Sequence, residues 1–168
     1  MSGGKGKGAG KLMRAALKFL KRTSKRNRPD RMNPHFTEHT IGGGHVKPGA
    51  PKGSGYHYRP GGRDYPDRRL VPGSRVEHPN GVYEAEVEFF DPTINPPAGA
   101  WKPKGGNGGV STFFPDHWSA DQVDKAIAGA FKGSSPAGGN KWEGTFDGVT
   151  IEGFYNGSGG FTHGWPVP

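Results

Sequence analysis

Val82-Tyr83-Glu84-Ala85-Glu86-Val87-Glu88-Phe89-Phe90 decides the fold. Tyr83, Ala85, Val87 and Phe89 fall on one side of an extended chain, and Glu84, Glu86 and Glu88 fall on the other. Period two held over nine residues predicts a half-buried strand. Downstream the alternation returns in Trp142–Phe146 and Val149–Tyr155, turns at Asn156-Gly157-Ser158-Gly159-Gly160, and ends with Phe161–Pro168. That pattern fits antiparallel strands joined by Gly-rich turns. Between the two regions Ser119 opens a helix: it is a good N-cap, Gln122 follows three residues later, and Trp118 is placed to staple onto Val123. Val123, Ala126, Ile127, Ala130 and Phe131 form its apolar face. The expected fold is α+β, a strongly curved antiparallel sheet packed with one or two helices.

Composition limits the rest. With 168 residues, 31 Gly, 16 Pro and only 30% hydrophobic residues, the chain holds one modest domain with long loops. It has no cysteine, which removes disulfide frameworks, thiolate metal sites and cysteine nucleophiles. The formal charge of +8 is unevenly spread: residues 1–34 hold eleven Lys/Arg against Asp30 alone, and residues 35–168 hold twelve Lys/Arg against fourteen Asp/Glu. A near-neutral domain must therefore hold any polyanion through local contacts rather than one broad positive face. No apolar run approaches the roughly 20 residues that span a bilayer, and the N-terminus has no signal-peptide pattern.

Residues 1–34 read as a basic arm preceding a domain at 35–168. Residues 1–10 are Gly-, Ser- and Lys-rich and are expected to be disordered. Lys11 to Arg22 reads as a short amphipathic helix with Leu12, Ala16, Phe19 and Leu20 in one stripe; Arg26 to Pro34 breaks it. The arm suits a linker, a membrane-surface contact or added nucleic-acid affinity. From His35 to Arg75 there is little periodicity, and a long irregular stretch in a small domain is usually functional or disordered.

Five of the seven histidines precede residue 80. His39 lies just before Ile41-Gly42-Gly43-Gly44, and His57 lies within Gly55-Tyr56-His57-Tyr58-Arg59-Pro60-Gly61, both beside glycines that allow close backbone approach to a ligand. Lys104 is followed by Gly105-Gly106 and then by Ser111-Thr112-Phe113-Phe114-Pro115. RNA cleavage without a metal needs one group to take the 2′-hydroxyl proton, one to protonate the departing 5′-oxygen and one to neutralise charge on the phosphorane. Two histidines and a lysine meet those needs.

The segments His39, Gly55–Gly62, Asn80-Gly81-Val82-Tyr83, Ser111–Ser119, Trp142-Glu143-Gly144-Thr145 and Ile151-Glu152-Gly153 occur together and in order. Over about residues 35–168 this set resembles the bacterial EndoU-type endoribonuclease domain, commonly the C-terminal toxin module of interbacterial polymorphic toxins. The resemblance implies cleavage of single-stranded or loop RNA, often at uridines, to 2′,3′-cyclic phosphate and 5′-hydroxyl ends. No metal is required, although manganese stimulates some relatives. It implies His57 as general base, His39 as general acid and Lys104 as the phosphate-binding cation, with Lys102 the alternative lysine and His45 the alternative second histidine. Ser111 or Thr112 and Thr162 are expected to hydrogen-bond base or phosphate, and Trp165 to stack. Where relatives carry a C-terminal Tyr this chain has Trp165, which lacks the phenolic hydroxyl and puts strict uridine preference in question. Toxin kinship further implies secretion or delivery into a target cell, action in its cytoplasm, and a cognate immunity protein.

Two other readings are open on the residues. His35 and His39, four apart, with His45 or His57 and Glu38 could hold zinc, although Pro34 and the glycines argue against a helix there. Alternatively, the arm and the aromatics could serve a non-catalytic nucleic-acid or membrane binder.

Overall fold

The computed structural model describes residues 3–23, 31, 32, 34–46, 49 and 52–168. Its elements in chain order are α1 (Gly3–Thr23), α2 (Pro34–Thr40), β1 (Arg68–Leu70), β2 (Val76–Glu77), β3 (Tyr83–Asp91), β4 (Ala100–Pro103), β5 (Val110–Phe113), α3 (Ala120–Lys132), β6 (Ser135–Pro136), β7 (Lys141–Phe146), β8 (Val149–Tyr155) and β9 (Phe161–Val167). The fold is α+β with antiparallel strand pairing, but the strands divide between two sheets where one was expected. Tyr83–Asp91 is the axis of the first: β1 and β4 flank its second half, and β2 and β5 its first half. Its alternation is as read, with Tyr83, Ala85, Val87 and Phe89 buried. The second sheet is a four-strand meander, β6-β7-β8-β9.

Helix α3 lies against the meander, chiefly on β7. Its start carries a complete capping box: the Gln122 amide donates to Ser119 Oγ at 3.1 Å, and the Ser119 amide donates to Gln122 Oε1 at 2.7 Å. Val123, Ala126, Ile127 and Ala130 are buried. They share one core with Trp142, Ile151 and Phe161 from the meander, with Phe113 from the first sheet and with Phe114 just after it.

The N-terminal region differs from its reading. Helix α1 runs from Gly3 rather than Lys11, so residues 3–10 are helical where disorder was expected. Residues 26–30 and 33 of the expected break lie outside the described residues. Ala16 and Phe19 are buried in the common core, and α1 packs on α2, α3 and the 3-10 turn Pro60–Gly62. Two residues of the expected apolar stripe are thus spent within the protein, and Leu20 packs partly buried against the same core. Among the described residues no helix is long and apolar enough to cross a membrane. Helix α2 is a second correction: Pro34 does not prevent it, because at the first helical position the missing N–H costs no hydrogen bond.

Candidate active site

Two short backbone bonds bring the histidine segments together. The Tyr56 amide donates to the His39 carbonyl at 2.9 Å, and the His57 amide donates to the Thr40 carbonyl at 3.0 Å. This splices the end of α2 to the irregular strand 55–58. Only glycine fits at position 55: its φ is +87°, and a Cβ there would stand 2.2 Å from the His39 carbonyl oxygen. The Phe114 amide donates to the His57 carbonyl at 2.9 Å, and Ser111 Oγ donates to the Gly55 carbonyl at 3.1 Å, which fixes the strand from its other side.

His57 is 8% exposed, and its Nδ1 lies 2.7 Å from the Thr112 carbonyl oxygen. A carbonyl only accepts, so Nδ1 carries the proton and the neutral ring keeps its lone pair on Nε2. The His39 and His57 ring centroids are 6.4 Å apart. Both rings line a cleft of about 520 Å³ together with Lys104, Thr112, Trp165 and His163. Lys104 Nζ donates to the Val110 carbonyl at 3.2 Å. The cleft opens between the two sheets, its far wall built from Lys141, Glu152 and Phe154 of the meander.

Burial, and after it the charge of Lys104, holds the His57 imidazole down to about 3. Burial, followed by the neighbouring His163, His45 and Lys104, holds His39 down to about 3. His163 is lowered to about 4, again mainly by burial. Burial also lowers Lys104. The rings are therefore neutral near pH 7, and Lys104 is the cation beside them.

Several expected residues are placed elsewhere. Lys102 pairs with Asp91 at 2.9 Å in the interior, both side chains almost fully buried, so it is a structural cation. Ser111 is buried beneath the cleft and shapes the Gly55 turn, so the expected ligand contact at Ser111 is corrected. Thr162 does not line the cleft either; its hydroxyl lies 2.8 Å from His163 Nδ1 and 3.4 Å from the Phe154 carbonyl, and it positions a ring instead. His45 stacks on His35 at 4.7 Å, behind His39 and outside the cleft wall. Although α2 restores the helical spacing of His35 and His39, no group of three His, Asp or Glu among the described residues is arranged to hold a metal ion.

A profile of the bacterial EndoU nuclease family matches residues 35–167. The chain belongs to that family. No curated protein and no solved structure matches it. The EndoU match begins at the first turn of α2 and spans both sheets and the whole cleft, while α1 lies outside it. His39, His57, Lys104, Thr112 and Trp165, expected from the sequence, meet in the cleft of this EndoU domain, and His163, Lys141, Glu152 and Phe154 join them unforeseen.

Proposed function

We propose that this EndoU nuclease cleaves single-stranded RNA by metal-independent transesterification. The observation that carries the reading is the His57 ring, held through Nδ1 by a backbone carbonyl and facing one cleft with His39 and Lys104. His57 Nε2 takes the 2′-hydroxyl proton, and the 2′-oxygen bonds to phosphorus. As the bond from phosphorus to the 5′-oxygen breaks, His39 gives that oxygen a proton. The products are a 2′,3′-cyclic phosphate and a 5′-hydroxyl, with no water consumed. Lys104 balances the charge that grows on the phosphorane oxygens. Burial and its cationic neighbours hold His39 down, and the phosphodiester anion supplies the field that favours its imidazolium form.

Family kinship supports a toxin role, with delivery into the cytoplasm of a target cell and a cognate immunity protein covering the cleft. The exposed Lys11, Arg14, Lys18 and Arg22 of α1 would add phosphate contacts outside the cleft.

Mass analysis of oligonucleotide fragments tests the reaction directly. Incubation in chelator should give cyclic-phosphate and 5′-hydroxyl ends, with manganese addition as a parallel arm for stimulation. Cutting abolished by chelator, or fragments with 5′-phosphates, would refute it.

A further inference from the structure

Just before His57 the backbone adopts a conformation that its residue type disfavours. Among the described residues six non-glycines have a positive φ, and five of them are Asn or Asp, the types that tolerate it. The sixth is Tyr56, at +76°, directly after Gly55 and directly before His57. A bulky aromatic residue stays in that region only where its surroundings hold it there. The Tyr56 ring is fully buried and meets Phe113 edge-on at 5.2 Å, and its hydroxyl donates to Asp64 Oδ1. Burial, and after it the charge of Asp64, raises the phenol, which keeps its proton for that bond. Arg59 grips the same carboxylate from the other side of His57: Nε donates to Oδ1 at 2.7 Å and Nη2 to Oδ2 at 3.3 Å. Arg59 Nη1 also donates to Tyr83 Oη at 3.3 Å, which ties the arrangement to β3. One carboxylate thus bridges the residues that flank His57. Of these, His57 alone lines the cleft; Tyr56, Arg59 and Asp64 do not.

Resting on the ribonuclease reading above, we propose that Tyr56, Asp64 and Arg59 are positioning residues that aim His57 at the 2′-hydroxyl. The φ of Tyr56 sets the direction in which the chain enters His57, and the clamp on its phenol holds that angle against the residue's own preference. Released, Tyr56 relaxes toward negative φ, which rotates the peptide leading into His57 and draws Nδ1 off the Thr112 carbonyl, now 2.7 Å away. Without that acceptor neither ring nitrogen is fixed as the protonated one, and the Nε2 lone pair is no longer reserved for the 2′-hydroxyl proton. A glycine would take the angle unaided, because it has no Cβ. What the tyrosine adds is a ring and a hydroxyl by which the angle is anchored to the core.

The test uses the full chain, at a temperature where circular dichroism shows each variant folded. Asp64→Ala should lower kcat on single-stranded RNA by about tenfold or more, the scale for a misplaced group rather than a missing one. KM should stay within about twofold, because the phosphate contacts of the cleft are untouched. Nitrogen NMR near neutral pH should show His57 as the Nδ1-protonated tautomer in the wild type and as a mixture of tautomers in Asp64→Ala. Tyr56→Gly and Tyr56→Ala both remove the ring, and if the tyrosine served packing alone, glycine would be the worse replacement. Here Tyr56→Gly should be the faster enzyme by about threefold or more, since alanine is strained where φ is positive. A kcat for Asp64→Ala within about twofold of the wild type, an unchanged His57 tautomer, or a Tyr56→Ala as fast as Tyr56→Gly would each overturn the proposal. Asp64 is 28% exposed, so its variant decides the matter should the Tyr56 pair not fold. If the wild type cuts no RNA in chelator, the ribonuclease reading fails, and the tautomer comparison still decides whether the clamp aims the ring. If RNA is cut and Asp64→Ala leaves the tautomer unchanged, cleavage stands and the clamp fails.

Discussion

Lys102 and Lys104 lie two residues apart and the sequence treats them alike, yet the interior gives them opposite work. Lys102 meets Asp91, whose carboxyl is held below the ordinary range by hydrogen bonds from Thr93 and Lys102, whereas Lys104 reaches the cleft. Lys104→Met should lower cleavage by about 10²-fold or more, the usual cost of losing one transition-state donor, with the melting temperature nearly unchanged. Lys102→Met should instead lower the melting temperature, because it leaves a buried carboxylate without its cation. The reverse pattern in thermal melts and initial rates would exchange their roles. His57→Ala and His39→Ala should each leave the fold intact by circular dichroism and lower cleavage by at least about 10²-fold. Full activity in both variants would remove the proton-transfer assignment.

At the scale of elements, what the sequence showed and what it hid have separate physical causes. Tyr83–Asp91, α3, β7 and β8 were legible because each has one buried face and an uninterrupted period. Helix α2 was not: seven residues are too few for a period, and its leading proline reads as a breaker until its first-turn position is known. The place of His163 in the cleft wall on β9 was hidden by a register irregularity. Tyr155 pairs with Phe161, but Phe154 pairs with His163, so Thr162 is an extra residue on its strand. Strict alternation from Phe161 would turn His163 and Trp165 into the core, and the bulge turns both to the cleft. Phe154 did leave a signal, as an aromatic on the polar side of an alternating strand. The packing of α1 was hidden because its composition is that of a solvated arm. Phe19→Ala should cost about 3 kcal/mol or more, as for a buried phenylalanine, against about 1 kcal/mol for Ser119→Ala at the α3 cap. Urea unfolding measures both, and a Phe19→Ala cost near zero would show that α1 is not part of the cooperative core.

For the whole molecule, one cause drives two pH gradients in opposite directions. The imidazoles of His39, His57 and His163 are held at about 3, 3 and 4 because burial disfavours their charged forms. In the unfolded chain each returns to about 6.5. Between those values the unfolded state binds more protons, so stability is full above about pH 6.5 and falls as pH drops, by at most about 1.4 kcal/mol per pH unit for each histidine. Cleavage has the other sign. His57 is already neutral across the usable range, so the base imposes no limb there, while the fraction of His39 carrying the proton needed by an acid falls about tenfold per pH unit above its depressed value. The rate constant kcat/KM should therefore fall as pH rises from about 5 to 8, while the melting temperature rises over the lower part of that range. Initial-rate profiles at subsaturating RNA and thermal melts in the same buffers measure both. A kcat/KM that climbs toward pH 8 would show that His39 is not the acid in the free enzyme, and a melting temperature that rises on acidification below pH 6.5 would show that the histidines are not buried as neutral rings.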